Sequence, residues 1–435
     1  MTEKNRHDGI SGSDYTRCPV PDTQTVNWFG IAIVVFGIGI TLPVFYIGSE
    51  LTMSLGFKKA ALVFMVSCGI VGIMMAVTSV VAARTRLSTY MILHFTFGET
   101  GVKPINILLA ITYIGYFAAT GDIFGRAVHE SMLEFYGWNL PVPVCAALGS
   151  TIMALTAVFG FRIVERFSTM AVPVLAIFMI YVVYLATKQT NWSNLLAIPG
   201  RGGIDFGHAI SIVIGANILM AVAAPDFTRY AKTDRDAIKT VAGLVLGYPL
   251  LMLSSGIPTL ITGETDIMRI MISLHVALPA LIILVFATWT TNTVNLYSGI
   301  LTLSTVFTAT PHWKIAAGTS AIGILGAALG VMDYFVPFVF FLGIATAPVA
   351  GIYLADFFVL NKGKRQFQDL KLIPNIGIPA YIAWLAGSGT AYLTTYTAIQ
   401  ISTIPAADGM LIAFVSFIVC GKLAKNSPNH SNSND

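Results

Sequence analysis

Ala287-Thr288-Trp289-Thr290-Thr291-Asn292-Thr293-Val294-Asn295-Leu296-Tyr297 is the stretch of this chain best equipped to bind something. It interrupts a hydrophobic run that begins near Val276. Threonine hydroxyls offer oxygen atoms to a cation or a hydrogen-bond partner, and asparagine amides both donate and accept. In hydrocarbon each unsatisfied polar group costs several kcal/mol. The cluster therefore persists because a ligand binds there, or because neighbouring backbone satisfies it. Membrane threonines often take the second course, bonding to a carbonyl one turn earlier.

The elements around this island must be membrane helices. Hydrophobic residues make up 55% of the 435 and charged residues 11%, against roughly 25% charged in soluble domains. Apolar runs of about 20 residues, long enough to cross a bilayer, recur from Trp28 to Cys420. They suggest twelve spans, at 28–54, 59–83, 104–125, 141–160, 168–187, 207–230, 238–262, 276–303, 315–331, 335–356, 378–397 and 404–421. An N-terminal arm (1–26) and a polar tail (422–435) flank this membrane domain (27–421). The arm lacks the basic start and apolar core of a cleavable signal peptide.

With the N-terminus inside and twelve spans, only Lys58, Lys59, Arg126, Lys188, Arg201 and Arg269 of the 25 basic residues fall outside, against 19 inside. That asymmetry is the positive-inside pattern, and it places both termini in the cytoplasm of a multi-pass inner-membrane protein. It also accounts for the net charge of +4 without a nucleic-acid partner. Cys18, Cys68, Cys145 and Cys420 show no metal or redox spacing, and no cofactor is indicated.

Helix continuity is the next signal. Gly37-Ile38-Gly39-Ile40-Thr41-Leu42-Pro43 interrupts the first span, and Gly215-Ala216-Asn217 and then Pro225-Asp226 interrupt the sixth. Proline removes a backbone donor and clashes with the preceding turn. Broken backbone at membrane depth is tolerated where it lines a cavity. Interruptions at matching places in two halves point to a transporter built from inverted repeats, with its site near the midplane.

Two motifs make the resemblance specific. Pro225-Asp226-Phe227-Thr228-Arg229-Tyr230-Ala231-Lys232 closes the sixth span, and Trp289-Thr290-Thr291-Asn292 with Asn295-Leu296-Tyr297 lies in the eighth. With Arg84 to Thr89, Phe95 to Gly98 and Pro348 to Asp356, the chain resembles the nucleobase–cation symporter-1 (purine-cytosine permease) family, and most closely its cytosine permease branch, over about residues 17–425. The resemblance implies an all-α fold of two five-helix inverted repeats (about 27–187 and 206–356) with broken helices one and six and extra helices at 377–421. It implies a secondary transporter that imports a nucleobase or related planar heterocycle with a cation. It further implies a sodium site between spans one and eight: carbonyls of Gly37, Thr41 and Ala287, hydroxyls of Thr290 and Thr291. Substrate would lie against Tyr113 and Tyr116 of span three, Ala216 and Asn217 of span six, and Asn292 and Asn295 of span eight. Asn292 and Asn295 are three apart and share a helix face.

The chain also departs from the cytosine branch. That branch has glutamine where Tyr113 stands, tryptophan where Tyr116 stands and an aromatic where Asn217 stands. After Trp-Thr-Thr-Asn it usually continues Asp-Asn, where this chain has Thr293-Val294. The cation positions match while several of the substrate positions differ. Purines, hydantoin- or allantoin-like rings and thiamine-precursor pyrimidines therefore stand beside cytosine as expected substrates.

Two acids are candidates for proton coupling or gating. Asp122 lies within span three, where an ionisable side chain is a functional candidate; Arg126, one turn on, is its natural ion-pair partner. Glu50 lies beyond the break in span one. An enzyme is disfavoured, because the seven histidines form no metal spacing on a membrane helix. A channel is disfavoured, because broken helices suit alternating access better than a continuous pore.

Overall fold

The computed structural model describes residues 18–425 except 160, 189, 398, 400 and 403, and leaves a number of helical side chains undescribed, those of 161–172, Ala287 and Thr290 among them. Most of the N-terminal arm and nearly all of the polar tail thus lie outside the described residues.

The first apolar stretch folds as two helices, α1 (Trp28–Gly39) and α2 (Leu42–Leu55), bent by 66° at their junction. Three neighbouring residues make that junction. Gly39 sits where the ring of Tyr248 packs, 2.3 Å from the place a Cβ would occupy. The Thr41 hydroxyl caps α2 by accepting from the Val44 N–H at 3.4 Å. Pro43 stands in the first turn of α2, where its missing N–H costs nothing.

The chain continues through α3 (Phe57–Thr85), the short α4 (Thr89–Phe97), the long α5 (Val102–Tyr136), α6 (Val142–Phe159), α7 (Phe161–Lys188) and the surface turn α8 (Trp192–Ala197). Then come α9 (Phe206–Val222), α10 (Pro225–Thr228), the pieces α11 (Asp234–Lys239), α12 (Ala242–Val245) and α13 (Gly247–Thr262), and α14 (Ile267–Ser273). The polar island lies within α15 (Ala277–Val306). After α16 (His312–Ala328), a 3₁₀ turn at Val331–Tyr334 leads into α17 (Phe335–Leu354), which widens into a π-helical turn at Ala355–Leu360. The last pair is α18 (Ile378–Tyr396) and α19 (Pro405–Lys425).

Among the described residues, every stretch expected to span the membrane is helical apart from short breaks. Among the described residues, six helices are long and apolar enough to cross a bilayer, or seven with the bent pair taken as one. The shortfall from twelve is partly one of length: α16 has 17 residues, short of the ~20 that a crossing requires.

The expected break at Gly215-Ala216-Asn217 is not there: α9 runs straight through it. Neither a cap nor a proline stands at those positions. Gly215 instead lets α9 approach α17, because a Cβ would lie 2.3 Å from the Val339 carbonyl oxygen. The interruption comes later, at Ala223-Ala224 before Pro225. The buried core is formed where α3, α5, α9, α13, α15 and α17 meet around α1 and α2.

Candidate transport site

A cavity of about 130 Å³ opens where the α1–α2 junction faces α5, α9 and α15. Each helix presents one face to it. From the junction come Ile38, Thr41, Pro43 and Val44, and from α5 Tyr113, Tyr116 and Thr120. Ala216, Asn217 and Met220 line it from α9, and Thr291, Val294, Asn295 and Ser298 from α15. The α5 set is spaced i, i+3, i+7 and the α15 set i, i+3, i+4, i+7, each a single helical stripe. The ring of Tyr248 closes the side against Gly39.

Of the six expected substrate residues, five line this cavity: Tyr113, Tyr116, Ala216, Asn217 and Asn295. Asn292 does not. It is fully buried and donates its amide to the Phe117 carbonyl at 3.2 Å and towards Met153 Sδ at 3.5 Å. One residue is about 100° of helix rotation. The turn from Thr291 to Asn292 therefore carries the side chain off the cavity and between α5 and α6. Its Oδ1 has no partner there among the described residues.

The lining groups are not equally available. The Tyr116 hydroxyl donates to the Ala216 carbonyl, and its ring meets Phe335 and Phe338 edge-on at 6.1 and 5.8 Å. Tyr116 thus braces α5 against α9 and α17 rather than lying open as a stacking platform. Asn217 donates one amide N–H to the Val213 carbonyl at 2.8 Å, so its oxygen and its second N–H are what it can offer a ligand. Thr120 is buried, and its hydroxyl has no partner among the described residues. Continuing the Tyr113–Tyr116 stripe by one turn would have found it, and continuing Thr291–Asn295 would have found Ser298.

The expected cation ligands meet mixed fates. The junction and α15 border the same cavity, which places Thr41 and Thr291 on facing elements. The Gly37 carbonyl accepts the Ile40 N–H at 3.1 Å, and the Thr41 carbonyl accepts from Val44 and Phe45. Each carbonyl has a second lone pair. The side chains of Ala287 and Thr290 lie outside what is described. Thr293, by contrast, bonds back to the Trp289 carbonyl at 2.7 Å, the alternative use of a membrane threonine.

Charged groups gather at the ends of the bundle. Asp122 is buried and accepts from Arg126 Nε at 2.9 Å and from the Met332 N–H at 2.9 Å. Arg126 reaches on to Asp333 at 2.7 Å. Asp122 is therefore half of the expected ion pair, and the pair ties α5 to the turn before α17. Glu50 is partly buried and makes no ion pair among the described residues. At the other end Asp226 caps α4 by accepting the Thr89 N–H at 2.8 Å. Asp356 there takes a two-pronged bond from Arg365 at 2.8 and 2.9 Å.

Residues 19–420 match the profile of a family described as permeases for cytosine/purines, uracil, thiamine and allantoin. The chain is 24% identical over 363 residues to a cytosine permease of Escherichia coli (strain K12), covering 83% of this chain and 85% of that protein. It is 24% identical over 374 residues to a hydantoin permease of Microbacterium maritypicum, covering 80% and 76%. Its fold superposes on the inward-facing conformation of Mhp1 with a TM-score of 0.82 at 18% identity, covering 94% of this chain and 93% of that one.

Proposed function

The chain belongs to the family of permeases for cytosine/purines, uracil, thiamine and allantoin, and on that premise we propose that it imports a single-ring nitrogen heterocycle together with a sodium ion. It is a multi-pass membrane transporter and not an enzyme. The observation that carries the proposal is the cavity at the α1–α2 junction, with its two polar stripes.

The size of the cavity supports a single-ring substrate. The cavity holds about 130 Å³, close to the ~150 Å³ in which an engineered cavity holds one benzene. A pyrimidine or hydantoin ring fits that space better than a fused purine. Polar complementarity agrees. Asn295 offers a donor and an acceptor, Thr120 and Ser298 offer hydroxyls, and Asn217 offers an oxygen and one N–H. Such a set matches a ring edge of alternating N–H and C=O groups, because a buried donor or acceptor left unmatched costs ~1–3 kcal/mol. The named relatives, a cytosine permease and a hydantoin permease, bracket this class.

Sodium is the proposed coupling ion, held by the Thr290 and Thr291 hydroxyls and by carbonyls of Gly37, Thr41 and Ala287. A hard cation takes oxygen ligands, and a broken helix turns carbonyls towards it. Proton coupling is the weaker reading. Asp122 is committed to Arg126 and the Met332 N–H, and no carboxylate lines the cavity among the described residues. We place both termini in the cytoplasm, on the asymmetry of 19 basic residues against six. Residues 27–187 and 206–356 are the two repeats that rock about the site, with 377–421 outside the repeat.

The test is uptake into proteoliposomes of labelled cytosine, uracil, hydantoin, adenine and hypoxanthine, with sodium or choline as the external cation. The expected result is saturable uptake of one or more of the single rings, at least tenfold faster with a sodium gradient. Equal uptake in choline would remove sodium from the mechanism. Preference for purines would overturn the single-ring assignment.

A further inference from the structure

The chain from Asn361 to Gly377 carries α17 over into α18, and one side of it is fastened to the bundle. Arg365 folds inward onto Asp356 at 2.8 and 2.9 Å and over the ring of Phe95 at 5.1 Å. Asp369 caps the 3₁₀ turn Phe367–Leu372 by accepting the Gln366 N–H at 2.9 Å. The last residues are stitched to the corner between α4 and α5. There the Pro374 and Asn375 carbonyls accept from Glu99, Thr100 and Gly101, and the Gly377 N–H donates to the Phe97 carbonyl at 2.7 Å.

The rest of the segment is uncovered. Lys362, on a left-handed backbone with φ of 50°, Lys364 and Lys371 are exposed and make no ion pair among the described residues. Lys422 has the same character and joins them from the end of α19, because its neighbour Gly421 packs on Leu360. The acids nearby are mostly engaged: Asp356 and Asp369 as above, and Asp234 with Arg84 at 2.8 Å. Glu99 is the exposed acid at the corner. Among the lysines stand large apolar side chains that the protein leaves open: Leu372, 87% exposed, with Leu423, Ile376 and Phe367. The helices fix the level of this patch. On α18 the exposed residues Ile378, Ile382, Leu385, Tyr392 and Tyr396 recur at helical steps, the stripe of a helix facing hydrocarbon. At 1.5 Å per residue that stripe is about 27 Å long, close to the ~30 Å core of a bilayer. On α19 Leu411, Val415, Val419 and Leu423 form a second stripe. Both stripes stop where the lysines stand, so the lysines lie at the level of the lipid headgroups.

We propose that this patch binds anionic phospholipid: Lys362, Lys364, Lys371 and Lys422 hold the headgroup phosphates, and Leu372 and Ile376 enter the upper acyl chains. Clustered lysines beside a membrane helix attract anionic lipid. Their apolar stems lie along the hydrocarbon edge while the ammonium stays in water. A neutral lipid would cover the leucine and isoleucine equally well; the unpaired positive charge is what selects the anionic headgroup. The inference uses neither the substrate nor the coupling ion, so it stands or falls apart from the transport assignment.

The full-length protein in nanodiscs tests this. Leu372→Cys is labelled with bimane, with Cys18 and Cys420, the two cysteines that are not buried, changed to serine. The discs hold phosphatidylcholine with about one-fifth phosphatidylglycerol, and one lipid or the other carries a doxyl quencher near the top of its chain. Quenching per labelled lipid is expected to be at least threefold stronger from phosphatidylglycerol. Changing all four lysines to glutamine should bring that ratio to about one, and Lys362→Gln with Lys364→Gln should about halve it. The same reading at Ile376→Cys serves if the label at position 372 disturbs the segment. Equal quenching by the two lipids at both positions, quenching by aqueous iodide alone, or a ratio that survives loss of the four lysines would each overturn the proposal. Replacing chloride by inorganic phosphate at matched ionic strength should leave the ratio unchanged. A ratio lost in phosphate alone would make the patch a small-anion site and overturn the lipid assignment.

Discussion

Asn295 and Asn292 sit three residues apart on one helix, carry the same side chain, and have opposite surroundings. Asn295 faces the cavity with no side-chain partner among the described residues. Asn292 faces the bundle, gives its amide to the Phe117 carbonyl and is fully buried. Thr291 and Thr293 repeat the contrast: one lines the cavity, the other spends its hydroxyl on the Trp289 carbonyl. The polar island is thus two things on two faces of α15. One face packs into the bundle and ties helices together; the other lines the cavity proposed to receive the ligand. Composition marks the island, and helix rotation decides which residue serves which purpose.

The sharpest way to break this contrast is to remove each amide in turn. Asn295→Leu should weaken substrate binding by about 30-fold, or ~2 kcal/mol, because a bound ring would be left with an unmatched polar edge. Asn292→Leu should leave the dissociation constant within about twofold. It loses one hydrogen bond and also removes the stranded Oδ1, so its net effect on stability should stay within ~1 kcal/mol. Calorimetric titration and thermal unfolding in detergent measure both. Equal losses of affinity at the two sites would mean that Asn292 turns into the cavity when substrate arrives.

The threonines give a smaller effect of the same kind. Thr291→Ala should raise the sodium concentration needed for half-maximal uptake about tenfold, equivalent to ~1.4 kcal/mol. Thr293→Ala should leave it unchanged, since that hydroxyl is already engaged with backbone. A sodium titration of uptake decides the matter. Sensitivity at Thr293 alone would reverse the two faces.

Much of this was legible in the sequence, where the physics is local. Gly39, Thr41 and Pro43 lie within five residues and supply a close contact, a cap and a donor-free first turn, so the first break could be read directly. Gly215 looked similar but lacked a cap and a proline. Its purpose depends on Val339, more than a hundred residues away, and no local signal reports that. Asp122 and Arg126 are one turn apart and could be paired on paper; Asp333, 207 residues from Arg126, could not. Thr120 was legible as the next turn of the Tyr113–Tyr116 stripe, although a lone threonine in a membrane helix usually satisfies itself. The rotation of α15 was the real gap. A three-residue spacing says that two side chains are neighbours, and only packing against α5 and α6 says which of them turns inward.

Val294 carries the mildest prediction. It lies on the cavity face, where the cytosine branch that this sequence resembles carries an asparagine. A valine there presents methyl groups to the ring, so it rewards an apolar edge and offers nothing to an exocyclic amine. Val294→Asn adds an amide to the same stripe as Thr291, Asn295 and Ser298 without altering the packing face. The variant should gain about threefold in relative affinity for cytosine over hydantoin, or ~0.65 kcal/mol, as measured by competition against a labelled substrate. The gain is modest because Tyr113, Tyr116 and Asn217 still differ from that branch, and a donor without the matching stacking surface recovers only part of a specificity. An unchanged ratio would place the ring away from this stretch of α15 and confine recognition to Thr120, Asn217 and Asn295.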